Sequence, residues 1–198
     1  MFVDTAPING FMNSVLGMSF AEEHVTSVNA FTIITLQLLV SSIVKKTKPL
    51  PTMLVGIGIG TMGLIILSLS QNFWFFLIGI ITFSLGEMTA HPKYISYLGL
   101  IAPPDKKATY MGFGFLYGFF GSLIAGYLGA NLYVRIIDNP MIVYVRQQLS
   151  AAGSAITLPA DVNILQAMEA AMKIGIEQSQ ITPYADTSFF WLVIAGIG

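Results

Sequence analysis

The sequence contains no cysteine, which excludes thiol chemistry and cysteine-ligated metal sites. It also carries little charge: 10% of its 198 residues are charged, whereas soluble domains contain about 25%. The net charge of −1 argues against a surface for nucleic acid. A basic n-region is missing from the opening residues, so we expect no signal peptide there.

Apolar residues dominate the chain. They make up 55% of it, and the mean hydropathy is +0.74, more than one soluble core of this size could bury. A membrane span needs about 20 mostly apolar residues. The sequence therefore predicts an all-α, polytopic transmembrane bundle with four spans, at 25–44, 52–70, 73–102 and 108–137. Segment 187–198 is expected to be the start of a truncated fifth span.

The short loops predict an orientation. Three lysines lie in loop 45–51 and two in loop 103–107, and the positive-inside rule places both loops in the cytoplasm. Residues 1–24 and 138–186 are then outside. We expect an integral protein of a bacterial inner or plasma membrane, with the lipid bilayer as its first partner.

Segment 138–186 is too long for a plain connector. Asp161 is a candidate N-cap for a helix reaching about Gln178. One face of that helix would be apolar, formed by Ile164, Ala167, Met168, Ala171 and Met172. We expect an outside helical insertion that packs on the bundle or lies at the interface; a partner-binding element is the alternative.

Small residues recur every four positions in the fourth span: Gly114, Gly118, Ser122 and Gly126. Such spacing lets helix backbones approach closely, which associates helices in lipid. Gly56 and Gly60 add a similar pair in the second span. Helix packing is the expected role, and a moving helix contact is compatible with it.

Glu87 lies near mid-depth of the third span. A carboxylate there is costly unless it faces a cavity, binds a cation or stays protonated, so Glu87 is a candidate site residue. An interhelical hydrogen bond is the alternative. His91, at i+4, either relays a proton with Glu87 or caps a backbone group opened by Pro92. Lys93 is expected to snorkel towards the cytoplasm, and Asn29 either faces a cavity or bonds to another helix.

The sequence shows no nucleophile–base triad, phosphate loop or metal-spaced set of ligands. Gly56-x-Gly58-x-Gly60-x-x-Gly63 resembles nucleotide spacing, but it lies inside a lipid span and follows no strand. We therefore expect no enzyme, no metal and no organic cofactor.

Three segments of the chain contain recognisable motifs. The first is Gly86-Glu87-Met88 with the trailing Pro92, followed by Leu100-Ile101-Ala102-Pro103. The second is Val25-x-Ser27-Val28-Asn29, and the third is the stretch from Met111 to Ser122. In this order they resemble the tenth, eighth and eleventh helices of a known family, the proton-coupled oligopeptide transporters of the major facilitator superfamily.

The resemblance implies a fold of twelve helices in two halves, of which this chain is helix eight to the start of helix twelve. The N-terminal half of the same transporter would then be a partner. It also implies proton-coupled symport of di- and tripeptides or peptide-like solutes, with protons as the coupling ion. Glu87 would meet the substrate ammonium, Asn29 would be a substrate-binding amide, and His91 would tune Glu87.

The sequence departs from the family at Ala30, His91 and Gly114, which stand where proline, serine and tryptophan are usual. Two alternatives therefore stay open. One is a facilitator-type carrier for a drug, a sugar or an organic anion. The other is a non-transporting scaffold or receptor in the membrane.

Overall fold

A computed structural model describes residues 23–70 and 72–197, with side chains from Ser27 onwards. All regular elements in these ranges are helical. In chain order they are α1 (Glu23–Val44), α2 (Pro49–Leu69), α3 (Phe73–Ile101), a 3₁₀ turn (Pro104–Lys106), α4 (Lys107–Tyr133), a π-helical turn (Val134–Asp138), α5 (Asn139–Ala151), α6 (Ile164–Lys173), α7 (Gln178–Ile181), a second 3₁₀ turn (Thr182–Tyr184) and α8 (Thr187–Ile197). Of the predicted outside segment 1–24, residues 1–22 lie outside the described residues.

Four helical stretches are long and apolar enough to cross a bilayer: Ser27–Val44, Pro49–Leu69, Phe73–Ile101 and Pro104–Ala151. This confirms the expected all-α class with four candidate membrane helices. The fourth helix does not end near Asp138-Asn139-Pro140, where we expected it to stop. It continues through the π-helical turn into α5, with Pro140 in the first turn of α5. The carbonyl of Ile136, four residues earlier, cannot accept from a proline and accepts instead from the N–H of Asp186 at 3.4 Å.

Local sequence explains how α2 and α3 begin. Pro49 occupies the first turn of α2, a position for which its fixed φ is suited. Asn72 caps α3, since its side-chain oxygen accepts a 2.9 Å hydrogen bond from the N–H of Trp74. Pro92 lies inside α3, and the helix continues through it.

Glycines allow α2 and α3 to touch at the backbone. A Cβ on Gly63 would lie 2.5 Å from the nitrogen of Phe83, and one on Gly56 would lie 2.6 Å from the nitrogen of Ala90. A Cβ on Gly86 would lie 2.6 Å from the carbonyl oxygen of Gly56. No larger residue fits at these positions without moving a helix. We call this contact, formed by Gly56, Gly60, Gly63, Gly79 and Gly86, the glycine seam.

The described residues divide into two compact units, one within 23–123 together with 191–197, and one of 124–190. The first unit contains α1 to α3, the beginning of α4 and most of α8. Leu67, Phe76 and Ile80 form its small apolar cluster, with Val28 and Trp191 against it.

The second unit has its own core. Ile137, Met141, Val145 and Ile181 are almost completely buried there, together with small alanines of α6. The rings of Tyr144 and Tyr184 stack at 3.9 Å. Segment 138–186 is thus helical and packs within its own unit; whether it packs on the bundle or lies at a membrane interface stays a prediction.

The expected helix from Asp161 to about Gln178 is wrong in both bounds. Asn163 is the N-cap, because its side chain bonds to the N–H of Gln166 and the Gln166 side chain bonds back to the N–H of Asn163. The helix ends at Lys173 since Gly175, at φ +82°, turns the chain. The N–H of Ile176 then reaches the carbonyl of Ala171, which completes a Schellman motif.

Asp186 caps α8, with its carboxylate accepting from the N–H of Phe189 at 2.9 Å. The helix runs from Thr187 to Ile197, which agrees with the expected start of an apolar helix near Thr187 and Ser188.

Candidate functional site

Three polar residues of the candidate site lie on one face of α3. Glu87, His91 and Tyr94 follow each other at i, i+4 and i+7, positions that lie above one another on a helix. Glu87 is near the middle of this 29-residue helix. A titratable row thus runs from mid-helix towards the C-terminal end of α3.

Glu87 opens onto a groove of about 250 Å³ between α2 and α3. The groove is lined by small and apolar residues, among them Gly60, Leu64 and Phe83. The side chain of Glu87 is exposed, and within residues 23–70 and 72–197 no hydrogen bond or ion pair reaches its carboxylate. The carboxylate is thus available to accept a proton or a cationic group.

His91 contacts α4. Its Nδ1 lies 3.2 Å from the hydroxyl of Tyr117, and in the described part of the chain no hydrogen bond joins it to Glu87. Tyr117 also packs edge to face on Tyr94, with ring centroids 4.7 Å apart. A His–Tyr pair can pass or hold a proton one turn from the carboxylate. The proton-relay role of His91 stays a prediction, and the structure adds Tyr117 as its hydrogen-bonding partner.

Tyr94 joins the same cluster to the α4 backbone. Its hydroxyl donates a 2.8 Å hydrogen bond to the carbonyl of Gly114. Gly114 is buried, and a Cβ there would collide with the side chain of Leu98. Gly114 therefore packs against α3. Sequence reasoning missed Tyr94 and Tyr117 as site residues, although the i+7 spacing of Tyr94 from Glu87 was visible.

Asn29 of α1 bonds to α3 at Ser84. The hydroxyl of Ser84 lies within hydrogen-bonding distance of two acceptors, the side-chain oxygen of Asn29 and the carbonyl of Ile80. Ser84 is completely buried, and it precedes Glu87 by three residues on the α3 surface. Of the two expected roles of Asn29, the structure contains the interhelical bond; contact with a substrate stays a prediction.

Lys93 does not snorkel to solvent. Its side chain is 6% exposed, and its Nζ donates a 2.8 Å hydrogen bond to the main-chain carbonyl of Thr47, just after the end of α1. A cation near a helix C-terminus also meets the negative end of the helix dipole. Lys93 therefore fixes the turn that contains Lys45, Lys46 and Lys48 against α3.

The expected packing row of the fourth span is mostly open. Gly114 packs as described, but a Cβ on Gly118 or Gly126 would meet no atom within 4 Å in the described residues. Ser122 is exposed and donates to the carbonyl of Gly118 in its own helix. The packing role of the last three residues stays a prediction, while the glycine seam provides the close contact between α2 and α3.

The site thus combines an accessible mid-helix carboxylate, a His–Tyr pair and an amide held by a buried serine. Comparisons with protein families, with curated proteins and with solved structures find no match to this chain.

Proposed function

We propose that these helices belong to a proton-coupled symporter of di- and tripeptides or peptide-like solutes that works by alternating access. The chain would contribute part of the C-terminal half of a major-facilitator carrier. The observation that carries the proposal is the carboxylate of Glu87, accessible and without a partner in the described residues, in the middle of an apolar 29-residue helix.

Charge is costly at that depth. An acidic or basic residue at the centre of a membrane helix costs about 2.5–3.5 kcal/mol on insertion scales, so such residues usually face a cavity or a functional partner. A substrate ammonium would supply the missing counter-charge. The resemblance of Gly86-Glu87-Met88 to the family's tenth helix supports the same assignment.

The neighbours of Glu87 fit a proton-coupled site. The His91–Tyr117 pair lies one turn from Glu87 and can exchange a proton with a bound group. Asn29, whose side-chain oxygen accepts from the hydroxyl of Ser84, would offer its amide N–H groups to a peptide backbone. In this proposal Glu87 binds the amino terminus, Asn29 the peptide group, and His91 tunes Glu87.

Glu87→Gln in the full carrier tests the proposal, because it keeps side-chain size and removes the charge. Breaking a desolvated charge pair costs a few kcal/mol, so affinity for free-amine dipeptides should fall on the order of 10²-fold or more. N-acetylated dipeptides have no ammonium and should lose much less. Competition uptake with matched free and acetylated dipeptides measures both.

Asp105→Asn is the matched control, since Asp105 is an exposed acid in the loop before α4. It should leave both affinities unchanged. Equal loss for free and acetylated peptides would remove Glu87 as the amine site. No change for either would remove the peptide assignment of this helix.

A further inference from the structure

A second groove lies between α1, α2 and α3. Its volume is about 460 Å³, and it shares no lining residue with the groove at Glu87. Aliphatic side chains form most of its wall: Val40, Ile43, Val55, Ile59 and Leu85. At one end it reaches Thr47, in the turn that connects α1 to α2.

The groove is nearly as long as the hydrocarbon of one bilayer leaflet is thick. Its lining along α2 extends from Pro51 to Ile59, which at 1.5 Å per residue is about 12 Å. The hydrocarbon of one leaflet is about 15 Å thick, half of a typical 30 Å core. Because the wall is aliphatic along this length, it suits an acyl chain better than a polar solute.

The turn at the end of the groove contains three lysines. We call residues 45–48 the basic turn; its three lysines are exposed, and no ion pair in the described residues involves them. Lys93 holds the carbonyl of Thr47 and so fixes the basic turn beside the groove. The positive-inside rule expects this turn on the cytoplasmic side, the leaflet that is rich in anionic lipid.

We propose that this groove binds one anionic phospholipid of the surrounding bilayer, with an acyl chain along α2 and the phosphate on the basic turn. Charge complementarity favours this occupant. The groove is aliphatic along its length and ends at the basic turn, which matches the acyl chain and the anionic headgroup of such a lipid. Basic pockets between membrane helices bind anionic headgroups in this way. The site is separate from Glu87 and does not depend on the transported solute.

Lipid retention by the full-chain protein tests the site. The protein is reconstituted with phosphatidylglycerol and phosphatidylcholine of identical acyl chains, extracted, and examined by native mass spectrometry. Wild type should retain one phosphatidylglycerol in preference to phosphatidylcholine. Each lysine near an anionic surface contributes about fivefold, so K45Q/K46Q/K48Q should lose on the order of 100-fold in that preference.

The second basic loop provides the control for charge. K106Q/K107Q removes two exposed lysines that line neither groove. It should leave lipid retention close to wild type. An equal loss in K106Q/K107Q, or no headgroup preference in wild type, would overturn the site and leave a general charge effect.

A groove-filling pair separates the acyl contact from the headgroup contact. Val55→Trp fills the groove and should abolish retention, whereas Leu54→Trp is placed on an exposed neighbour that does not line it and should have no effect. Retention in both variants would show that the lysines act without the groove and would refute the proposal. A second protein copy bound in place of lipid, seen as a dimer mass, would refute it too.

Discussion

The ammonium of Lys93 donates a 2.8 Å hydrogen bond to the main-chain carbonyl of Thr47, which joins a buried cation of α3 to the turn after α1. A hydrogen bond to a charged group is worth about 1.5–3 kcal/mol. Thr47 also accepts on its side chain, from the hydroxyl of Thr52, and donates to Val44. The turn between α1 and α2 is thus held from three directions.

Lys93→Met should loosen this turn. The change keeps the apolar stem and removes the donor, so amide hydrogens around Thr47 should exchange about 10- to 100-fold faster. Hydrogen exchange read by mass spectrometry measures this. Lys48→Met, on an exposed lysine of the same turn, should have little effect; equal protection in both variants would contradict the anchoring role.

Gly63→Ala should destabilise the glycine seam. The added Cβ would lie 2.5 Å from the backbone nitrogen of Phe83, and overpacking of this kind costs about 1–3 kcal/mol. Gly58→Ala is the control on the same helix, because a Cβ there meets nothing within 4 Å and alanine favours helix. Thermal unfolding in detergent should show a lower midpoint for Gly63→Ala alone.

Gly118→Leu should lower the yield of folded protein far more than Leu116→Ala. The reason is the expected packing row: a large side chain on a small-residue stripe blocks close approach of another helix. In the described residues nothing lies within 4 Å of a Cβ at Gly118, so the partner would come from outside them. Fluorescence-detected size exclusion measures the yield, and similar mild effects would mean that the row faces lipid.

Single cysteines at Lys46, Lys106 and Lys173 should label as inside, inside and outside. All three positions are exposed, and the chain has no cysteine of its own to give background. The expectation follows from the lysine asymmetry of the loops. Labelling of Lys46 and Lys106 from opposite sides would contradict the order of spans.

Hydropathy was sufficient to predict where the long helices lie. Contact with lipid requires a run of about 20 apolar residues, and without water the backbone of such a run must form its hydrogen bonds within a helix. Hydropathy did not predict where helices begin and end, because local hydrogen bonds determine those positions. Asp161 was chosen as a cap, but Asn163 has the Gln166 partner that completes the reciprocal bonds. The predicted end of the fourth helix was wrong. Proline is typical of a helix end, but Pro140 lies in the first turn of α5, and the helix continues past it.

Part of the candidate site could be proposed from the sequence, but the contacts between its residues could not. Glu87 and His91 could be singled out from their own helix, whereas Tyr117 and Ser84 became visible through contacts between helices. Which helices pack against each other could likewise not be predicted from one helix alone. A regular row on one helix, as at Gly118, does not identify the helix that faces it, whereas the glycine seam has small residues on both α2 and α3.

The glycine seam also bears on how the protein is made. Because the backbones of α2 and α3 touch, the two helices can leave the translocation machinery as one hairpin. The most apolar 18-residue stretch of α2 has a mean hydropathy of 2.1, and α2 contains no charged residue; the corresponding stretch of α3 has a mean hydropathy of 1.6, and α3 contains Glu87 and Lys93. We expect the strongly apolar α2 to offset the insertion cost of its charged neighbour, so that damage to the seam would appear first as failed biogenesis.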